Sequence, residues 1–197
     1  MNRFSLALWQ CIDHVYRRVR RFDYEDMQGN NVFRVRVRHY TGPEFSLENG
    51  FEVKRGDWVG FLHLYNLRLQ QMMHEIQSDN RRSILLLREV QHSLPELAEF
   101  ALRHPRGHRI KALIGITLLN RGVQGLGFTV SDVPDTPWYR FRRWYMKWMI
   151  RITHPEGSKR LKQKPRELML KRCVLTRDEL FRRYGKVRAV SGIDLEG

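Results

Sequence analysis

The architecture of this chain follows from one short segment, WVGFLHLY, which runs from Trp58 to Tyr65. Its side chains are apolar on both faces of an extended chain, which is typical of a strand in the interior of a sheet. The preceding segment, VFRVRVRHY from Val32 to Tyr40, alternates apolar and basic residues, which indicates a strand with one buried face. Between the two, Asn49 and Gly50 predict a hairpin turn because both residues readily adopt positive φ.

Helices and further strands are predicted on either side of these segments. Helical spacing predicts a helix whose buried face includes Ile84, Leu87 and either Val90 or Gln91. The stretch SLPE, residues 93–96, fits the capping-box pattern with proline in the first turn, so a new helix is predicted to begin there and run through Leu102. Apolar runs predict strands over residues 110–116 and 127–130, and an apolar stripe predicts a first helix over residues 4–19.

The size and composition of the chain exclude several classes of protein. Its 197 residues suit one domain, and 42% hydrophobic with 29% charged residues exclude wholesale disorder. The longest apolar run, residues 112–119, is far shorter than the roughly 18 to 20 residues that a membrane-spanning helix requires. Two cysteines do not make a disulfide framework or a zinc site, and residues 4–9 are too short for a secretory signal. We therefore expect a cytoplasmic protein.

The net charge of +15 is concentrated at the two ends of the chain. Residues 139–172 contain twelve Lys and Arg against two Glu, a net charge of +10, and residues 1–22 contain five Arg against one Asp, a net charge of +4. A nearly neutral body with basic ends predicts contact with a polyanion, either a lipid headgroup surface or a nucleic acid. The ordinary alternative is a protein with solvated arginine-rich faces.

A basic aromatic segment between Pro137 and Pro155 has the clearest helical periodicity. Its large apolar residues form one stripe: Phe141, Trp144, Tyr145, Trp148, Met149 and Ile152. Tryptophan and tyrosine beside a cationic face are typical of helices that lie in the plane of a membrane surface. The predicted membrane-contact residues are Phe141, Arg142, Arg143, Trp144, Tyr145, Lys147, Trp148 and Arg151. Residues 159–172 are expected to rest on the same surface, and the alternative is that the stripe packs onto the protein's own strands.

Three residues at a strand-to-helix corner are candidates for a pocket. His63 is followed by Asn66 at the expected helix start and by Arg68 one turn into the helix. Histidine, asparagine and arginine at such a corner suit acid-base catalysis or the binding of an anion. The ordinary alternative is a core histidine that is hydrogen-bonded to Asp57 or to a carbonyl oxygen.

A row of arginines on the first predicted strand is a candidate anion-binding site. Arg34, Arg36 and Arg38 share one strand face at spacings of about 7 Å, which suits a row of phosphates. The alternative is a solvated outer face. No metal or cofactor motif is recognisable, so we expect neither a metal nor a cofactor.

Several stretches together resemble the YkoP-like family of bacterial proteins. They are VFRVRV (32–37), GDWVGFLHLYN (56–66), SLP (93–95), KALIGIT (111–117) and LGF (126–128), and the similarity spans Phe4 to Val130. Members of this family occur alone or joined to polysaccharide deacetylase domains, so the resemblance implies a role in cell-envelope polysaccharide or glycolipid metabolism. It brings no catalytic residues with it, and the metal-binding aspartate and paired histidines of a deacetylase are not recognisable in this chain.

These observations predict an α+β fold, a single compact domain with a small mixed sheet and several helices over residues 4–134. A basic amphipathic helical extension is predicted over residues 135–188. The predicted function is that of a peripheral protein at the inner face of the cell membrane. Its expected partners are an anionic membrane surface or a lipid-linked sugar phosphate and, through the resemblance, a polysaccharide deacetylase or another envelope enzyme. A nucleic-acid-binding protein and a small glycolipid-modifying transferase are the alternatives, and the sequence does not decide whether the chain is an enzyme.

Overall fold

The computed structural model of the chain describes residues 18, 21–65, 68–69, 72, 76, 78–118, 120, 122–153 and 169–185. Six strands form one mixed sheet in the order β1-β2-β5-β6-β8-β7: β1 (Tyr24–Glu25), β2 (Phe33–His39), β5 (Trp58–Leu64), β6 (Ala112–Thr117), β7 (Thr129–Asp132) and β8 (Lys171–Thr176). A separate hairpin consists of β3 (Phe45–Ser46) and β4 (Glu52–Val53). The helices of this part of the chain are α1 (Asp79–Arg103), α2 (Pro137–Thr153) and α3 (Arg177–Tyr184). The predicted α+β class is confirmed.

β5 lies in the interior of the sheet, as its sequence predicts. β2 pairs with it in the antiparallel direction, with Phe33 opposite Leu64. On its other side β6 runs parallel, with Val59 opposite Ala112. Parallel neighbours require a crossover connection, and α1 lies within that connection. The hairpin turn also forms where it is predicted, with Gly50 at a φ of 78°.

α1 is one continuous helix, so the predicted restart at residues 93–96 is wrong. Ser93 does not cap a helix, because its hydroxyl oxygen accepts a hydrogen bond from the backbone N–H of Val32 at 3.0 Å. Glu96 accepts a hydrogen bond from the side-chain amide of Asn31 at 2.8 Å. The two residues of the capping-box pattern therefore attach the start of β2 to the middle of α1.

Packing explains both the continuity of α1 and a second departure from prediction. Leu94 and Leu97 are fully buried on either side of Pro95, and this tertiary packing outweighs the local cost of a proline inside a helix. The predicted inward position of Ile84 is wrong, since its side chain is exposed. Ile84 lies roughly 100° around the helix from the buried face that Leu94 and Val90 help to define.

The segment that contains residues 171–176 is a strand of the sheet rather than a helix. β8 lies between β6 and β7, with Val174 opposite Ile114 on one side and Cys173 opposite Val130 on the other. The prediction of a helical extension over residues 135–188 is therefore wrong for this part. Its apolar run is short and follows a basic stretch, so the periodicity is weak, but two neighbouring strands satisfy its backbone hydrogen bonds.

The two faces of the sheet are covered by different elements. The helix-covered face packs against α1 and α3 through mostly aliphatic side chains, among them Val35, Leu62, Leu113, Leu175, Leu94, Leu97 and Leu180. The hairpin-covered face packs against Tyr40 and the β3–β4 hairpin through Val59, Ile114 and Val174 together with Phe45, Leu47, Phe51 and Val53. α2 joins the molecule beside this second face, where Tyr139 packs with Leu118 and Leu170.

Candidate surface-binding site

One side of α2 holds the helix to the rest of the domain. The backbone N–H of Tyr139 donates to the hydroxyl of Thr136 at 3.4 Å, so a threonine caps the helix and Pro137 occupies its first position. The ring of Tyr139 is buried. Three residues further on, Arg142 Nη2 donates to the carbonyl oxygen of Ile116 at 3.5 Å. These contacts fix which side of α2 faces away from the domain.

The opposite side of α2 carries a row of exposed aromatic rings, which we call the α2 aromatic strip: Trp138, Phe141, Trp144, Tyr145 and Trp148. The side chains of Trp138, Phe141 and Trp144 are 59%, 56% and 59% exposed. Neighbouring rings lie 6.0 to 6.5 Å apart between centroids, so the strip is continuous along the helix. The side chains of Met149 and Ile152 lie outside the described residues.

Cationic side chains flank the α2 aromatic strip. Arg143 and Lys147 are half-buried on the helix, and Arg140 is exposed with its Nε 3.9 Å from a carboxylate oxygen of Asp135. The side chain of Arg151 lies outside the described residues. The arrangement combines apolar rings with positive charge on one surface, which suits contact with an anionic interface.

The three arginines of β2 share the hairpin-covered face, but their exposure differs. Arg34 is only 2% exposed, and its Nε lies 2.7 Å from a carboxylate oxygen of Glu25. Its guanidinium carbon is 3.7 Å from the ring centroid of Tyr65. Arg36 is half-buried and Arg38 is exposed. The charge of Arg34 is thus neutralised inside the protein. Arg36 and Arg38 remain as the more exposed members of the predicted anion-binding row.

His63 lies beside Arg34 on the neighbouring strand, where the two residues are register partners. Its ring makes an edge contact with Phe22, with 5.6 Å between the centroids. The alternative in which His63 bonds to Asp57 is wrong, because Asp57 precedes the opposite end of β5. Asp57 accepts from the N–H of Lys54 at 2.8 Å, and although burial opposes it, this bond helps to hold the pKa of Asp57 below its usual range.

Arg68 hydrogen-bonds to the loop that precedes β2 and not to His63. It donates to the carbonyl oxygens of Asn31 at 2.6 Å and of Asp26 at 3.0 Å. The carboxylate of Asp26 in turn accepts from the N–H groups of Asn31 and Gly29, and these bonds lower its pKa against the opposing effect of burial. Asn66, the third member of the predicted group with His63 and Arg68, lies outside the described residues.

Sequence reasoning missed two contributors to these surfaces. Trp138 extends the α2 aromatic strip by one turn, and its spacing of three residues from Phe141 is a signal that would have found it. Arg172 is buried on the hairpin-covered face, whereas the sequence predicts that residues 159–172 rest on a membrane. That prediction is wrong for Arg172, while Lys171 Nζ lies 2.6 Å from the carboxylate of Asp132. No local pattern distinguishes these cations from their basic neighbours.

Two absences hold for the described residues. None of the helices there is both long enough and apolar enough to pass through a bilayer. In the same part of the chain, no three histidine, cysteine or acidic side chains form a group that could hold a metal ion.

Comparison with known proteins places the chain in a family. The sequence model of the YkoP domain matches residues 2–184, which extends the resemblance from the first sheet strands through β8 and α3. The Bacillus subtilis (strain 168) protein named "Uncharacterized protein YkoP" is 34% identical over 140 residues, which are 71% of this chain and 76% of that protein. No solved structure is significantly similar to the chain. The match includes β8, the strand that lies between β6 and β7 in the sheet. This chain therefore belongs to the YkoP domain family.

Proposed function

We propose that this chain is a peripheral protein that binds anionic membrane surfaces through α2 and serves cell-envelope polysaccharide or glycolipid metabolism. The observation that carries the surface-binding part is the α2 aromatic strip, five rings that are each more than a third exposed. The envelope context rests on the family resemblance alone. No enzymatic step is part of the proposal.

The physical argument for surface binding concerns the rings and the cations together. Large exposed apolar patches on soluble proteins mark surfaces that meet a partner or a membrane. Tryptophan and tyrosine rings are favoured at the headgroup level, where one part of the ring is apolar and another is wet. Near an anionic bilayer each basic side chain contributes on the order of 1 kcal/mol. Arg140, Arg143 and Lys147 therefore add electrostatic attraction to the apolar contact of the strip.

Vesicle sedimentation tests this proposal with the full chain. Vesicles of phosphatidylglycerol and phosphatidylcholine should bind the wild-type chain at low salt, and pure phosphatidylcholine should bind it much more weakly. The variant Trp144→Ala/Trp148→Ala should weaken the partition coefficient about tenfold or more, because two ring contacts are lost. Raising the salt concentration should weaken the binding of both proteins, since the electrostatic part is screened.

The matched control removes apolar surface elsewhere. Ile84→Ala/Leu102→Ala truncates two side chains of α1 that are as exposed as those of the strip. Its vesicle binding should equal that of the wild type. Equal binding of all three proteins would refute α2 as the contact surface. Tight binding of single-stranded nucleic acid that competes with vesicles and is indifferent to the Trp substitutions would favour the nucleic-acid alternative instead.

A further inference from the structure

β8 buries a positive charge on the hairpin-covered face. Arg172 is 3% exposed, and its guanidinium carbon lies 3.8 Å from the ring centroid of Phe45. Within the described part of the chain, no carboxylate lies at ion-pair distance from Arg172 and its guanidinium donates no hydrogen bond. Burying a charge is costly unless the charge is paired and hydrogen-bonded, and one aromatic ring supplies only part of that compensation. The described residues therefore supply no anion to this buried guanidinium.

A second unsatisfied polar group lies beside this cation. Ser131 on β7 is the register partner of Arg172, and such partners project to the same face of the sheet. The hydroxyl oxygen of Ser131 is buried and has no hydrogen-bond partner among the described residues. A buried hydroxyl normally finds a partner. A hydroxyl and a guanidinium that both lack an acceptor thus occur side by side.

Among the described residues, the polar neighbours of the pair on this face of the sheet carry no negative charge. Tyr40 is buried, and its hydroxyl donates to the carbonyl oxygen of Pro43 at 2.7 Å. Burial raises the pKa of Tyr40, while the nearby charge of Arg172 opposes the rise, so the phenol is neutral at physiological pH. The acidic neighbour Asp132 is the register partner of Lys171 and projects to the opposite face of the sheet.

Ser131, Arg172 and Ile116 are register partners that form one row across the sheet, and a second cation, Arg142 of α2, contacts this row. Arg142 donates to the carbonyl oxygen of Ile116, and Ile116 is the register partner of Arg172 on β6. The row therefore collects positive charge from β8 and from α2. An anion bound here would lie at the base of the helix that carries the α2 aromatic strip.

We propose that Arg172 and Ser131 form a binding site for a phosphoryl group. Guanidinium donates two parallel hydrogen bonds to such an oxyanion, and the serine hydroxyl donates a third. A phosphoryl group fits better than a carboxylate because two arginines converge on the row and a phosphate carries more negative charge. The group belongs either to a free phosphate or to a lipid or sugar-phosphate headgroup. Only its role as a headgroup site rests on the proposed function.

Thermal unfolding of the full chain in increasing inorganic phosphate, at constant ionic strength set with sodium chloride, tests the site. The unfolding temperature of the wild type should rise with phosphate and then saturate, because a ligand that binds only the folded state stabilises it. Arg172→Met should abolish the rise. In chloride alone this variant should be as stable as the wild type or more stable, because it replaces an uncompensated buried charge with an apolar side chain. Ser131→Ala should weaken the apparent affinity about tenfold.

Arg177→Met is the matched control. Arg177 also stacks on a phenylalanine, with its guanidinium carbon 4.6 Å from the ring centroid of Phe181, but it lies in α3. Its phosphate response should equal that of the wild type. The proposal is overturned if the wild type shows no response, if Arg172→Met or Ser131→Ala responds as the wild type does, or if acetate stabilises the wild type as strongly as phosphate. If Arg172→Met fails to fold, the Ser131→Ala titration alone decides.

Further measurements distinguish a free phosphate from a headgroup ester. They also test the phosphoryl site independently of the surface-binding function. Glycerol 3-phosphate should match inorganic phosphate if the site accepts a headgroup ester, and vesicle binding should then weaken in Arg172→Met. Binding of inorganic phosphate alone would assign the site to free phosphate. Vesicle binding that depends on Trp144 and Trp148 without any phosphate response would overturn the Arg172 site and leave the surface-binding function standing. The reverse result would remove the surface-binding function and leave the site.

Discussion

On its helix-covered face the sheet presents Val35, Leu62 and Leu175 to α1 and α3, whereas on its hairpin-covered face the same strands present Arg34, His63 and Arg172 among aromatic rings. The first face gains stability by excluding water from aliphatic side chains. The second buries cations, and each must recover its lost hydration from a partner. One face is therefore stabilised mainly by aliphatic packing, whereas the other combines an apolar core with buried cations whose cost depends on their partners.

The largest effect should follow from breaking the helix-covered face. Leu97→Ala removes a fully buried side chain of α1 from the aliphatic core and should lower the free energy of unfolding by about 3 kcal/mol, the usual cost of the transfer and cavity terms together. Urea denaturation measures the change. Ile84→Ala, on the exposed side of the same helix, should change the free energy by less than about 0.5 kcal/mol. A similar loss in both variants would show that α1 does not pack as described.

A somewhat smaller effect should follow from unpairing a cation on the hairpin-covered face. Glu25→Gln removes the carboxylate beside the buried guanidinium of Arg34 and should cost about 2 kcal/mol in the free energy of unfolding. The double variant Glu25→Gln/Arg34→Met should recover most of this loss, because it also removes the buried charge that Glu25 neutralises. Urea denaturation of both variants distinguishes the cost of an isolated charge from the loss of a contact. Failure of the double variant to recover would mean that Arg34 stabilises the sheet chiefly by packing on Tyr65.

The smallest effect on the free energy of unfolding should come from the partly exposed ion pairs of Glu179 with Arg182 and Arg183 in α3. They contrast with the buried pair of Arg34 and Glu25. Hydrogen bonds from Arg182 and Arg183 lower the pKa of Glu179 to about 2 from an ordinary value of 4.5. Because the pKa in the folded state is the lower one, the stabilisation is present above pH 4.5 and is lost as the pH falls toward 2. Solvent screens this carboxylate, so the loss should stay below about 1 kcal/mol.

Unfolding in urea at about pH 5 and about pH 2.5 measures that loss. Glu179→Gln should show a smaller drop between the two pH values than the wild type does. An identical drop in the two proteins would show that other carboxylates carry the acid sensitivity. Since Arg183 also donates to the carbonyl oxygen of Gly125, the variant should leave this second contact of α3 intact.

Local periodicity was sufficient to predict β2, β5, the Asn49-Gly50 hairpin and the helical stripe of α2. In each case the signal lies within a few residues, because alternation along a strand and the 3.6-residue repeat of a helix are properties of the backbone itself. The direction of α2 was not predictable in this way. Either side of such a helix satisfies the pattern, and only the contacts of Tyr139 and Arg142 decide that the rings face away from the domain.

The errors arose where distant segments compete with local signals. Ser93 and Glu96 have the spacing of a helix cap, yet they bond to Val32 and Asn31, which are about sixty residues away in the chain. Residues 171–176 lie at the end of a basic stretch, yet they form β8, which pairs with β6 on one side and β7 on the other. In both cases the partner groups are supplied by the tertiary structure and are invisible in the local sequence.

By itself the sequence determined that the chain folds as an α+β domain around an interior strand and that a helix with aromatic and basic residues follows it. These properties depend on hydrophobic periodicity and on charge, and both can be determined from the sequence alone. Only the tertiary structure decided that Arg34 is paired with Glu25, whereas Arg172 is buried with no carboxylate of the described residues beside it, and that Ser131 is its register partner. The physical reason is that the energy of a buried charge depends on which groups the fold brings within a few ångströms of it, and β8 meets β6 and β7 only in the folded sheet.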